Sequence, residues 1–142
     1  MVERLTRDTM DGIDSQNGRL TMPAEHYPHA PMSRTSDHMS SRAIYGLTSG
    51  PRNTAAFMEW ELRAATWTDT HPHDEYNFVL DGELHVTSGG ATVVARPGDL
   101  VRVEAGERGS YCAPVYARML AEYDPNPDGA PSRNEGLTPT TD

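Results

Sequence analysis

The chain has 142 residues, with 12 Lys+Arg against 21 Asp+Glu and a formal net charge of −9. Nucleic acid and anionic membranes bind through clustered positive charge, so neither is expected as a partner. Every basic residue is arginine, which leaves no lysine amine for Schiff-base chemistry.

Cys112 is the single cysteine, so no intramolecular disulfide is expected. No long apolar run or charged-then-apolar leader is present, and the expectation is a cytoplasmic protein. The length suits one domain with its own core.

In chain order, residues 1–42 are rich in Asp, Ser, Pro, Met and His without a sustained period, and read as an extended arm with at most a short helix near Val2–Met10. His26, His29 and His38 fall in this arm without nearby cysteine and read as part of a solvated or strapping segment. Next come the β-like runs AIYGLTS (43–49), TAAFMEWELR (54–63), EYNFVL (75–80), ELHVTS (83–88), ATVVAR (91–96), LVRVE (100–104) and YCAPVYARMLAEY (111–123).

Gly50-Pro51, Asp81-Gly82, Gly89-Gly90, Pro97-Gly98-Asp99 and Gly106 separate them as turns. Strands at this spacing with no helical pattern predict an all-β sandwich or barrel over residues 43–124. Met58 and Trp60 read as core, His85 as facing away from it, and Cys112 as lacking a base. Tyr76, Phe78 and Leu80 alternate onto the outer face of their strand; an apolar outer face predicts a covering partner, hence a homodimer. The segment 125–142 is dominated by Pro, Asp, Gly and Thr and reads as an irregular tail.

The chemistry concentrates in Trp67 to Gly82, WTDTHPHDEYNFVLDG. Alternate residues of a strand share a face, but Pro72 removes a ladder donor and suits a bend. A strand, a turn at Pro72-His73-Asp74 and a return strand from Glu75 would bring Asp69 and His71 opposite Glu75. Asn77 follows on the inward face and is expected to orient substrate, with Trp67 either beside it or in the core.

These residues resemble the first motif of the cupin superfamily, H-x-H-x3-E-x6-G. Glu75 and Gly82 have the motif's separation, His71 stands at the second histidine and Asp69 at the first. Gly98 and Gly106, within RPGDLVRVEAGERGSYCA, are similar to the second motif, where Glu104, Gly109 and Ala113 replace Pro, His and Asn. The stretch also resembles the ethanolamine-utilisation accessory cupins, with their W-T-x-x-Y-D-E-x-x-x-V-L-E-G-E.

The resemblance implies a cupin β-barrel, or jelly roll, with its metal-ligand set partly lost. His71 and Glu75 remain as ligands, Asp69 supplies a third, and His73 a fourth if the turn shifts. Such a set would hold a divalent ion such as Fe, Mn, Ni or Zn weakly. Without a metal, His71 and Glu75 still form an acid–base pair, with Tyr111 projecting into the space left at Gly109 as a phenolic donor or packing there as an ordinary aromatic.

The expected function is small-molecule enzymology: a lyase, dehydratase, isomerase or cyclase step by proton transfer on a carbonyl-bearing metabolite. Two other readings stand beside it, a metal-dependent dioxygenase and a non-catalytic ligand-binding or accessory cupin. Arg63, Arg102 or Arg118 would supply positive charge if the substrate is anionic.

Overall fold

The structure is a computed structural model and describes residues 13–14, 19–20 and 23–140. The helix expected at Val2–Met10 lies outside the described residues. Among them no helix occurs, and so none is long and apolar enough to cross a membrane.

The strands are β1 (Ile13–Asp14), β2 (Arg19–Leu20), β3 (Ser33–Ser36), β4 (Met39–Tyr45), β5 (Ala56–Thr70), β6 (Glu75–Gly82), β7 (Leu84–Ser88), β8 (Ala91–Ala95), β9 (Leu100–Val103), β10 (Arg108–Tyr123) and β11 (Arg133–Pro139). β1 and β2 pair with each other; the rest form one antiparallel system. The all-β expectation is met.

The two long strands, β5 and β10, organise the fold because each belongs to two layers. In one layer β4 pairs with Phe57–Leu62 of β5, and the second half of β10 pairs with β6, which carries β9 on its other side. In the other, β11 pairs with Ala65–Thr70 of β5 and the first half of β10 pairs with β7, followed by β8.

Both long strands turn the corner at one level. Ala64 has a φ of 46°, and opposite it the register of β10 slips between Ala113 and Tyr116. Pro114, which cannot donate to a ladder, sits in that bulge. The kink at Ala64 also changes which residues face inward: Trp60 and Leu62 before it, Ala65 and Asp69 after it.

Inside lie Trp60, Leu62, Val79, Leu84, Val86, Tyr111 and Met119, joined by small alanines along β10. Full burial of each Leu, Val or Met side chain contributes about 1.5–3 kcal/mol. Gly82 closes β6 against the β10 bulge: a Cβ there would lie 2.1 Å from the Tyr116 carbonyl oxygen, and its φ is 78°.

Both ends of the barrel depart from the expected boundaries. The expected arm, 1–42, already contains β3 and the start of β4, and the expected irregular tail contains β11. The reason is the edge of β5, whose backbone groups over 15 residues need partners regardless of side-chain pattern. Leu137, packed against the core, is the apolar contact of β11. The outward Phe78 and Leu80 are 39% and 36% exposed, so the described residues do not cover that face.

Candidate functional site

Asp69 reaches the interior because the kink at Ala64 sets the inward face of β5 to odd-numbered residues as far as the strand's end. The chain then turns at Pro72, with the His71 carbonyl held by Gly106 N–H at 2.8 Å, and Glu75 opens β6 facing inward. His71 Nε2 thereby lies 3.0 Å from Asp69 Oδ2 and 3.4 Å from Glu75 Oε1. The sequence-predicted meeting of these three residues is present.

Each of the three is braced by a separate partner. Trp67 Nε1 donates to Asp69 Oδ2 at 2.7 Å, and Asn77 Nδ2 donates to Glu75 Oε2 at 3.3 Å while its own Oδ1 accepts from Trp60 Nε1 at 2.7 Å. His71 Nδ1 is 2.5 Å from Ser132 Oγ. Both carboxylates are almost fully enclosed, Asp69 at 4% and Glu75 at 3% exposed.

Burial by itself would push His71 down, but the pull of Asp69 and Glu75 outweighs it and raises the imidazole to about 9. His73 moves the other way: burial lowers it, and the nearby charges of His71 and Arg52 add to the effect.

A divalent cation fits this donor set. One ligand atom from each of Asp69, His71 and Glu75 falls within 4.8 Å of the others. His71 Nε2 is buried at ion-pair distance from both carboxylates, though it makes no well-aligned hydrogen bond to either. Two oxygens and one imidazole nitrogen suit hard-to-borderline ions, and outer partners on every ligand are the usual mark of a site that holds one.

His73 does not join as a fourth ligand. Its ring stacks on His71 at 4.9 Å and 16°, and its Nδ1 faces the Asp74 carbonyl at 3.1 Å. The turn has not shifted, so the His73 nitrogens lie to one side of the three converging atoms.

A cavity of about 520 Å³ opens over this centre. Trp67, Asp69, His71, His73 and Glu75 line it, together with Met39, Met58, Trp60 and Tyr123. Asn77 and Tyr111 do not. Asn77, expected at the substrate, sits one layer beneath, 1% exposed, with its amide spanning Trp60 and Glu75.

Tyr111 does fill the space beside Gly109, where a Cβ would lie 3.0 Å from its ring and hydroxyl. It packs edge-on against Trp60, and its hydroxyl is buried without a partner. Burial, reinforced by the charge of Glu75, pushes the phenol far above its ordinary range.

The arginines considered from the sequence are engaged elsewhere: Arg63 with Glu61, Arg118 with Glu59, and Arg102 with Asp74 and Glu104. Arg52 lines the cavity instead, and donates to the carbonyls of Thr54, Tyr123 and Asp124. Sequence reasoning also missed Tyr123 and Ser132. Nothing in the local pattern distinguishes Arg52 or Ser132, since both stand in turn-rich segments; Tyr123, at the end of a strand, reads as ordinary packing. His26 and His29 are exposed, and His38 Nδ1 faces the Arg63 carbonyl, so the arm histidines make no cluster.

The profile of the ethanolamine utilisation protein EutQ family matches residues 29–126. The chain belongs to the EutQ family. Among curated relatives, the acetate kinase EutQ of Salmonella typhimurium is 35% identical over 71 residues, 50% of this chain and 30% of that protein. The acetate kinase EutQ of Clostridioides difficile is 29% identical over 85 residues, 60% of this chain and 53% of that protein. The chain thus spans about half or less of the length of these EutQ relatives.

Among solved structures, an RmlC-like cupin from Shewanella frigidimarina superposes with a TM-score of 0.59 at 17% identity, covering 72% of this chain and 93% of that one. The fold is the cupin jelly roll that the motif spacing implied. The EutQ match ends at Asn126, so β11 and Ser132 lie outside it.

Proposed function

We propose that this chain is a small-molecule enzyme that moves protons on a carbonyl-bearing metabolite, in the lyase, dehydratase, isomerase or cyclase class, at a centre formed by Asp69, His71 and Glu75. The observation that carries the reading is the buried His71 Nε2 converging with two enclosed carboxylates at the floor of a cavity. These three residues would hold a divalent cation, which when bound supplies Lewis acidity toward a substrate oxygen.

The remaining residues supply shape and proton traffic. Trp60, Trp67, Met58 and Tyr123 give an apolar wall that keeps water from the reacting carbons, while Trp67 and Asn77 fix the two carboxylates. His73, with Nδ1 toward the Asp74 carbonyl, keeps Nε2 for exchange with a substrate in the cavity.

The curated EutQ relatives carry the name acetate kinase, but this chain covers only part of them. Phosphoryl transfer needs cationic groups aimed at phosphates. Arg52 is the arginine among the described lining residues, and its donors are directed at backbone carbonyls. Proton transfer therefore suits the cavity better.

Metal analysis of protein purified without added metal or nickel affinity, followed by thermal shift with Mn²⁺, Fe²⁺ and Zn²⁺, tests the centre. Bound ions raise the midpoint by linkage in the wild type and not in His71→Ala or Glu75→Gln. Solvent deuterium incorporation into a panel of carbonyl metabolites tests the chemistry. A wild type that holds no metal and exchanges no substrate proton would leave a ligand-binding role as the correct reading.

A further inference from the structure

Two of the three braces on the centre, Trp67 and Asn77, lie inside the family-matched region, and the third does not. Ser132 belongs to the segment after Asn126, yet it is anchored from both directions. Upstream, Asn126 exchanges backbone hydrogen bonds with Arg52 at 2.9 and 2.7 Å and donates through Nδ2 to the Ala130 carbonyl at 2.9 Å. Gly129 seats this loop against Pro51 so closely that a Cβ would lie 2.7 Å from the proline nitrogen.

Downstream, β11 begins at once, pairing Arg133 with Thr70 and Asn134 with Asp69. Ser132 is therefore held by the very strand that carries one of the candidate ligands. Its Oγ lies 2.5 Å from His71 Nδ1.

We propose that Ser132 is a positioning residue for the centre. Its hydroxyl accepts the His71 Nδ1–H, which fixes the ring orientation and keeps that proton in place while a cation between Asp69 and Glu75 displaces the proton on Nε2. The segment 127–140 is thus part of the site, not an appendage to it. This inference rests on the metal-holding reading given above.

The test uses the full chain and Zn²⁺ alone, with affinity from competition against a chromophoric chelator, and ring-nitrogen NMR of His71. Ser132→Ala is expected to bind Zn²⁺ about tenfold more weakly, with the melting temperature of the metal-free protein unchanged, and Ser132→Thr to restore wild-type affinity. Equal affinity in Ser132→Ala, or an equal loss in Ser132→Thr, overturns the role.

If the wild type binds no Zn²⁺ at all, the metal-holding reading fails separately, and the NMR decides the serine. Slowed solvent exchange of the Nδ1 proton in the wild type, lost in Ser132→Ala, supports the positioning role. Identical exchange in both overturns it.

Discussion

Trp67 and Asp69 share the inward face of β5 two residues apart, and the indole N–H meets the carboxylate at 2.7 Å. The contact exists because the left-handed residue Ala64 turns that stretch of strand to face the cavity. An aromatic side chain thus doubles as wall and as brace.

Trp67→Phe keeps the wall and removes the brace. The expected outcome is a roughly tenfold loss of divalent-metal affinity with little change in melting temperature. Chelator competition and thermal denaturation read the two effects separately. A lower melting temperature with unchanged affinity would reduce Trp67 to packing.

Gly82→Ala tests the corner. The new methyl would overlap the Tyr116 carbonyl, which is backbone and cannot swing away, and the residue would be held at positive φ. Destabilisation of roughly 3 kcal/mol or more is expected, visible as a large drop in the urea midpoint.

Tyr111→Phe removes a buried hydroxyl that has no partner. Because an unsatisfied buried group costs on the order of 1–3 kcal/mol, the variant should be as stable as the wild type or more so. Proton-exchange activity should stay within a few fold, since Tyr111 lies beneath the cavity rather than along it. A loss well beyond tenfold would restore the phenol to the chemistry.

What was legible in the sequence, and what was not, divides along physical lines. The meeting of His71 and Glu75 could be read because Pro72 forces a turn and the spacing from Glu75 to Gly82 is tied to a glycine that nothing larger can replace. Strand β11 could not, because an edge strand is held by backbone pairing with β5, which leaves almost no trace in RNEGLTP beyond Leu137. Ser132 was invisible for the same reason: its partner is 61 positions away and only the fold of the tail brings it there. Asn77 was placed on the correct face but a layer too shallow, since alternation along a strand gives direction and not depth.

Glu122, at the end of β10, supplies a pH prediction. Burial and the neighbouring Asp124 raise its carboxyl to about 7, from an ordinary value near 4.5. The folded state therefore holds this proton more tightly than the unfolded chain. The resulting stability is fully present below pH ~4.5 and is lost as pH rises through about 7. Glu122→Gln should be the more stable protein at pH 8, by about 1 kcal/mol after solvent screening, with the difference vanishing near pH 4. Chemical denaturation at the two pH values checks both sign and window.

Because β5 and β10 run through both layers and bend at the same level, the two layers share their longest strands, and a single cooperative unfolding transition is expected. Cooperativity is built into the chain path, and Asp69, lying just past the bend, inherits the rigidity of the entire barrel. A ligand in the cavity should accordingly displace one calorimetric peak as a whole, and a lesion at the Gly82 corner, away from the cavity lining, should loosen its grip without touching it.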